Sequence, residues 1–266
     1  MNDIPSAPRQ RLRQPRLAEM VADGLRERIL SGELGDGAML PKQDDLLAEF
    51  GVSPPSIREA LRILETEGLI TVQRGNVGGA IVHRPQPAKA AYMLGLVLQS
   101  RAVDLRDVQS ALRHLEPACA AACAARSDRE FTIVPRLRDN IDRSRANMDD
   151  ANIYIGLARQ FHVELVAGCG NETMALIVGA LESLWSAHVD RLARRPARHG
   201  SFDDRAVREA TLKDHERLYR AIAKGDAAAA ERVAREHYSD EPHQPDGWRH
   251  AFDLGAIIKA SILRDR

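Results

Sequence analysis

Aromatic residues are scarce, at 4% of the chain, and cysteines number only three. An odd, small set of cysteines excludes a disulfide framework. Cys119 and Cys123 stand one helical turn apart, a spacing expected of packing residues rather than ligands. Net charge is also lacking, with 38 basic and 38 acidic residues. That balance excludes a chain that coats nucleic acid through bulk charge. No apolar run approaches the roughly 20 residues that a membrane helix needs. No secretory signal pattern opens the chain, so a cytoplasmic protein is expected. What remains is rich in alanine and leucine and 44% hydrophobic. Such a composition favours helices with a real core. Its 266 residues suit about two domains.

Residues 40–82 carry the clearest pattern. Leu46, Leu47 and Phe50 mark the apolar face of a short helix, and Gly51 is placed to stop it. Ser53 is placed as the N-cap of a second helix, and Pro54 and Pro55 suit its first turn. Ile57, Leu61 and Leu64 repeat at helical spacing and are expected inside. Ser56, Arg58 and Arg62 are left to point outward, and Gly68 closes the helix. Leu69, Ile70, Val72 and then Ala80, Ile81, Val82 read as two short strands. Gly75, Asn76, Gly78 and Gly79 supply the turn between them. Helix, turn, helix and hairpin in that order make a winged helix-turn-helix, which sets its second helix in the major groove of DNA.

Residues 40–70 resemble the DNA-binding domain of the GntR regulator family. The shared frame is Leu40–Pro41, Gly51–Val52–Ser53 and Ile57–Arg58–Glu59–Ala60–Leu61. The resemblance implies a homodimer on double-stranded operator DNA. It implies DNA contacts from Lys42, Gln43, Ser53, Pro55, Ser56, Arg58 and Arg62, and from Arg74 and Gly75 in the wing. Two positions depart from the family pattern: Asp44 and Pro54 stand where it has arginines. Losing two cations weakens a phosphate interface and flattens its salt dependence. Residues 1–87 hold 11 Arg or Lys against 12 Asp or Glu, so DNA affinity must rest on local charge. Arg9, Arg11, Arg13 and Arg16 make residues 9–16 basic, and a basic flexible arm is expected over residues 1–15. Such an arm either follows a groove or serves as a solubilising tail.

The expected fold is mainly α. A winged helix-turn-helix of three helices and a hairpin wing spans 16–83, and a linker spans 84–89. An all-helical effector-binding and dimerisation bundle spans 90–240. Seven helices are predicted there, over about 91–99, 104–126, 131–147, 151–167, 171–194, 207–223 and 226–238. Residues 241–266 form a loop and an amphipathic helix over 248–263, whose apolar stripe must be buried somewhere.

His162, His215 and His237 fall on three different predicted helices beside apolar stripes. Imidazoles so placed either converge on a metal or are satisfied singly by nearby carbonyls. The segments around them resemble FCD, the helical effector domain of the FadR branch of the GntR family. That resemblance implies a divalent metal held by the three histidines and an aspartate; three neutral histidines alone suit zinc or nickel, or bind an anionic effector directly with no metal. The aspartate position is Ala158 here, which has no donor atom. It also implies a small organic acid or acyl-CoA effector, met by those histidines and by an arginine near Glu116. The arginine closest to that position is Arg113. The function expected is a ligand-responsive transcription regulator, a repressor and not an enzyme. The alternatives are a three-histidine metal-dependent enzyme, or an interaction module with a decayed DNA-binding domain.

Overall fold

The structure is a computed structural model describing residues 14–73, 79–193 and 204–239. The chain divides into two compact units, Met1–Gln86 and Pro87–Arg266.

The first unit runs α1 (Gln14–Ser31), α2 (Gln43–Phe50), α3 (Pro54–Thr66), β1 (Ile70–Gln73) and β2 (Gly79–Val82). Its core forms where the buried stripe Ile57, Ala60 and Leu64 of α3 meets Val21, Ala22, Leu25 and Ile29 of α1. Gly51 ends α2 in the left-handed conformation (φ 61°), and its N–H donates to the Leu47 carbonyl. This is the tight turn between the two motif helices, and glycine adopts it without strain. β1 and β2 pair antiparallel, with Ile70 opposite Val82 and Gln73 opposite Gly79. Residues 37–40 lie along the free edge of β2: Leu40 N–H donates to the Ala80 carbonyl and Val82 N–H to that of Ala38. No strand was predicted there, because Ala38, Met39 and Leu40 are too short a run to signal one. Arg26 of α1 grips Glu67 at the end of α3 through two hydrogen bonds of 2.7 and 2.8 Å. Bidentate pairs of this kind fix geometry as well as adding energy.

The second unit contains seven described helices: α4 (Pro87–Ser100), α5 (Leu105–Ala125), α6 (Ile133–Ala146), α7 (Ala151–Ala167), α8 (Glu172–Ala193), α9 (Arg205–Lys224) and α10 (Ala227–Ser239). α4 begins inside the stretch expected as a linker, because Pro87 fits a first helical turn where its missing N–H is not needed. α5 is the hub and packs against α7, α8, α9 and α10. Leu105, Val108, Leu112, Glu116, Cys119 and Cys123 are among its buried positions and are spaced by three or four residues. That spacing gives one continuous inward face. Asn140 of α6 donates to the Leu157 carbonyl of α7 at 3.0 Å and seats α7 in the bundle. Gly225 separates α9 from α10 at φ 74°. The arm over 1–13 and the helix expected over 248–263 lie outside the described residues. α1 already begins at Gln14, at the end of the expected arm.

Leu64 is fully buried at the α1–α3 contact. Leu64→Ala is expected to cost about 2–5 kcal/mol, through lost apolar transfer plus a cavity. Urea unfolding of the full chain followed by circular dichroism checks this, and a change below about 1 kcal/mol would contradict it.

Candidate functional site: a histidine cluster in the bundle and an exposed motif helix

α7, α9 and α10 each contribute one imidazole to a common point. His162 comes from α7, His215 from α9 and His237 from α10. A donor atom from each lies within 4.8 Å of the others. The ring centroids are 5.0 Å apart for His162 and His215, 5.3 Å for His162 and His237, and 5.1 Å for His215 and His237. Nε2 of His215 stands 3.3 Å from Nε2 of His162.

Each ring also meets a side chain outside the trio. His162 Nδ1 lies 2.6 Å from Oε1 of Glu116, on α5. With Glu116 ionised the carboxylate only accepts, and Nδ1 then carries the hydrogen while Nε2 presents its lone pair to the cluster. His215 stacks on Phe161, with centroids 4.1 Å apart and planes 5° from parallel. His237 Nδ1 lies 3.5 Å from Oδ2 of Asp214. Hydrogen bonding to His237 is the main reason the Asp214 carboxyl is held below the usual carboxylate range, with Arg217 also contributing.

A second donor group, on α5, α7 and α8, comprises Glu116, His162 and Glu182. Glu116 is 0% exposed and Glu182 2%, so both carboxylates lie inside the bundle. Ala158 is buried one turn before His162 and brings no donor. Arg113 is half-buried on α5, three residues before Glu116. The three cysteines are buried and free. Burial pushes the Cys123 thiol up to about 12, and that of Cys119 higher still. Thiols so disfavoured as thiolates are packing residues rather than ligands. An open surface groove lined by Arg143, Gln160 and Glu164 also runs beside α7, but none of the three histidines lines it.

In the first unit, α3 turns Pro55, Arg58 and Arg62 outward. Lys42, Gln43 and Ser53 are exposed as well. Ser56 is not: it is 3% exposed, contrary to the expected outward position. One residue before Ile57, it turns toward the core, and its hydroxyl meets that of Ser53 at 3.1 Å. Ser53 occupies the N-cap backbone position, but its side chain makes no capping bond to the helix amides. Glu59 and Glu65 share the exposed surface of α3, and Glu59 lies 3.7 Å from Arg62. Arg74 and Gly75, expected in the wing, lie outside the described residues.

Sequence reasoning used Glu116 only as a landmark for an arginine, and it missed Glu182, Asp214 and Phe161. A signal was available for two of them. Glu116 and Glu182 sit on the buried stripes of α5 and α8, where a carboxylate is costly without partners.

Burial holds the pKa of His215 well below its usual 6.5, and the neighbouring His162 and His237 add to the shift. Below about pH 6.5 the unfolded chain therefore binds more protons than the folded one, so stability rises with pH there. The folded pKa of Asp214 is lowered from 3.8, so its contribution fades only at still lower pH. Metal-free protein is expected to lose stability from about pH 6.5 to about pH 5, by at most roughly 1.4 kcal/mol per pH unit from this group. Urea melts across that range are the check. His215→Leu is expected to flatten the dependence, and an unchanged slope would remove His215 as its cause.

Comparison with known proteins agrees with both halves. Residues 17–78 match the family described as bacterial regulatory proteins, gntR family, and residues 107–240 match the FCD domain. An uncharacterised HTH-type transcriptional regulator from an unstable DNA locus of Streptomyces ambofaciens is 30% identical over 213 residues, covering 80% of this chain and 78% of the relative. The HTH-type transcriptional repressor NanR of Edwardsiella tarda is 28% identical, covering 86% of this chain and 85% of the relative. The Glc operon transcriptional activator of Escherichia coli K12 is 25% identical, covering 83% and 85%. The solved structure of a Streptococcus agalactiae GntR protein shares the fold, with a TM-score of 0.60 at 21% identity over 84% of this chain and 97% of that one. No described helix is long and apolar enough to cross a membrane. The matches indicate a regulator rather than the three-histidine enzyme held as an alternative. The winged head, the helical bundle and these matches lead to one assignment: the chain belongs to the GntR family of ligand-responsive transcription regulators, in the head-plus-FCD arrangement that fits the FadR subfamily.

Proposed function

We propose that this protein is a homodimeric, operator-binding repressor of the cytoplasm. Its bundle holds a divalent metal on His162, His215 and His237 and senses a small organic acid or acyl-CoA. The observation that carries the metal reading is the 3.3 Å between the Nε2 atoms of His162 and His215. Two nitrogens bound to a tetrahedral zinc at 2.0–2.1 Å stand about 3.3–3.4 Å apart. Three imidazoles suit zinc or nickel and leave a position for an oxygen ligand. A bound metal would supply a Lewis-acid anchor for an effector carboxylate. Arg113 is the candidate second contact, placed on the same helix as Glu116.

On the DNA side, α3 is the reading helix, with Arg58 and Arg62 as its exposed cations. Lys42, Gln43, Ser53 and Pro55 flank it at the surface, and Arg74 and Gly75 are assigned to the wing. Ser56 acts from beneath, through its hydroxyl contact to Ser53. Effector and DNA are coupled through the arrangement of the two heads. An acid that binds better to the DNA-incompetent arrangement releases the operator, and DNA weakens acid binding by the same factor. A repressor role has its precedent in the name of NanR, while the Glc operon relative is named an activator. Activation is therefore the second outcome to watch for in vivo.

The test is a gel shift on the DNA flanking the protein's own gene, with candidate acids and with the metal content measured on untagged protein. Arg58→Ala is expected to weaken the shift by about 5- to 150-fold, the cost of one good arginine contact. No shift by the wild-type protein at low salt would sink the operator reading. No metal in untagged protein, even after incubation with zinc or nickel, would sink the metal reading.

A further inference from the structure

We propose that Glu116 and Asp214 act as outer carboxylates of the histidine site, supplying through His162 and His237 the negative charge that Ala158 withholds. The inference rests on the metal reading above.

Three neutral imidazoles around a dication leave its full double charge inside the bundle. A carboxylate ligand would offset part of it, but position 158 offers none. Such a charge is costly in a low-dielectric interior unless anions lie close by. Two do, each against a different imidazole. Glu116 is fully buried on α5, the hub helix, and meets His162 Nδ1 at 2.6 Å. Asp214 is part-exposed on α9 and stands 3.5 Å from His237 Nδ1. A carboxylate behind a ligating imidazole fixes its tautomer and orientation and makes the facing nitrogen more basic. Glu116 acts on Nδ1 of His162, while Nε2 of the same ring faces His215 at 3.3 Å. The carboxylate is therefore a positioning residue and not itself a ligand of the three-histidine point.

Glu182 supports the same polarity. It is buried on α8 and shares the neighbourhood of Glu116 and His162. The interior around His162 is thus built for a cation, although its inner aspartate position is alanine.

The test measures zinc affinity of the untagged full chain by chelator competition, with cobalt absorption as a second readout. Glu116→Gln keeps a hydrogen-bond acceptor and removes the charge. It is expected to weaken zinc binding by about 10- to 100-fold while the cobalt bands keep their wild-type pattern. Asp214→Asn is expected to weaken it less, because its contact is longer and wetter. Ala158→Asp is expected to raise affinity more in the Glu116→Gln background than in the wild-type chain, a coupling that a merely structural Glu116 would not give. Affinity of Glu116→Gln within twofold of wild type would overturn the proposal. If Glu116→Gln fails to fold by circular dichroism, Asp214→Asn decides, and unchanged affinity there overturns it. Retained binding in His215→Ala and His237→Ala, with loss in Glu116→Gln and Glu182→Gln, would also overturn it, by making the carboxylates direct ligands. Absence of any metal from the wild-type chain fails the underlying metal reading instead, and is told apart by the wild-type measurement alone.

Discussion

A buried carboxylate needs donors, and in this bundle the donor with the clearest consequence is a histidine. The 2.6 Å contact between Glu116 and His162 ties α5, the hub of the second unit, to α7. It decides which nitrogen of His162 faces the cluster. With that ring set, the position of His215 follows from its stack on Phe161, the residue beside His162 in the chain. The imidazoles are therefore held in place by protein contacts alone. Pre-positioning of this kind lowers the ordering cost of whatever binds among them. It also explains why Glu116 and His162 are tolerated in a core that is otherwise mostly apolar.

The first unit depends on a different constraint. Its interior is a plain apolar contact between α1 and α3, and the proposed DNA-reading surface is what α3 leaves outside. Arg58 and Arg62 share that outer surface with Glu59 and Glu65. A surface so evenly charged offers little non-specific attraction to phosphate, because counterion release scales with the number of cations engaged. The arginines absent at Asp44 and Pro54 deepen that deficit. If α3 reads DNA as proposed, recognition must then lean on base contacts more than on phosphate contacts. Such a balance lowers affinity for random DNA as well as for the operator, and selectivity depends on the ratio of the two.

Much of the architecture was legible because it follows local rules. Gly51 and Gly225 stand where the chain takes left-handed turns, and each marked a helix end. The interval of three or four residues between apolar positions placed all seven described helices of the bundle, most within two residues at each end. The exceptions have local causes too: Pro87 starts α4 early, and Ser56 turns inward beside Ile57 although its polarity suggested the opposite. The edge pairing of residues 37–40 was not legible, since pairing partners far apart in sequence leave no periodic trace in a three-residue run.

The functional centre divides along the same line. The sequence by itself determined the winged motif, the helical bundle, the three histidines and the alanine at position 158, because propensity, spacing and side-chain chemistry are local properties. It also held Glu116, Glu182 and Asp214, but as glutamates and an aspartate among 38 acidic residues. Only the tertiary structure decided which of these acids stand behind or beside the histidines. Glu116 and His162 are separated by 46 residues, and their meeting depends on how α5 and α7 pack rather than on anything within either helix. Proximity across helices is a product of the whole core, and it is there that the charge withheld at Ala158 finds its nearest counterpart.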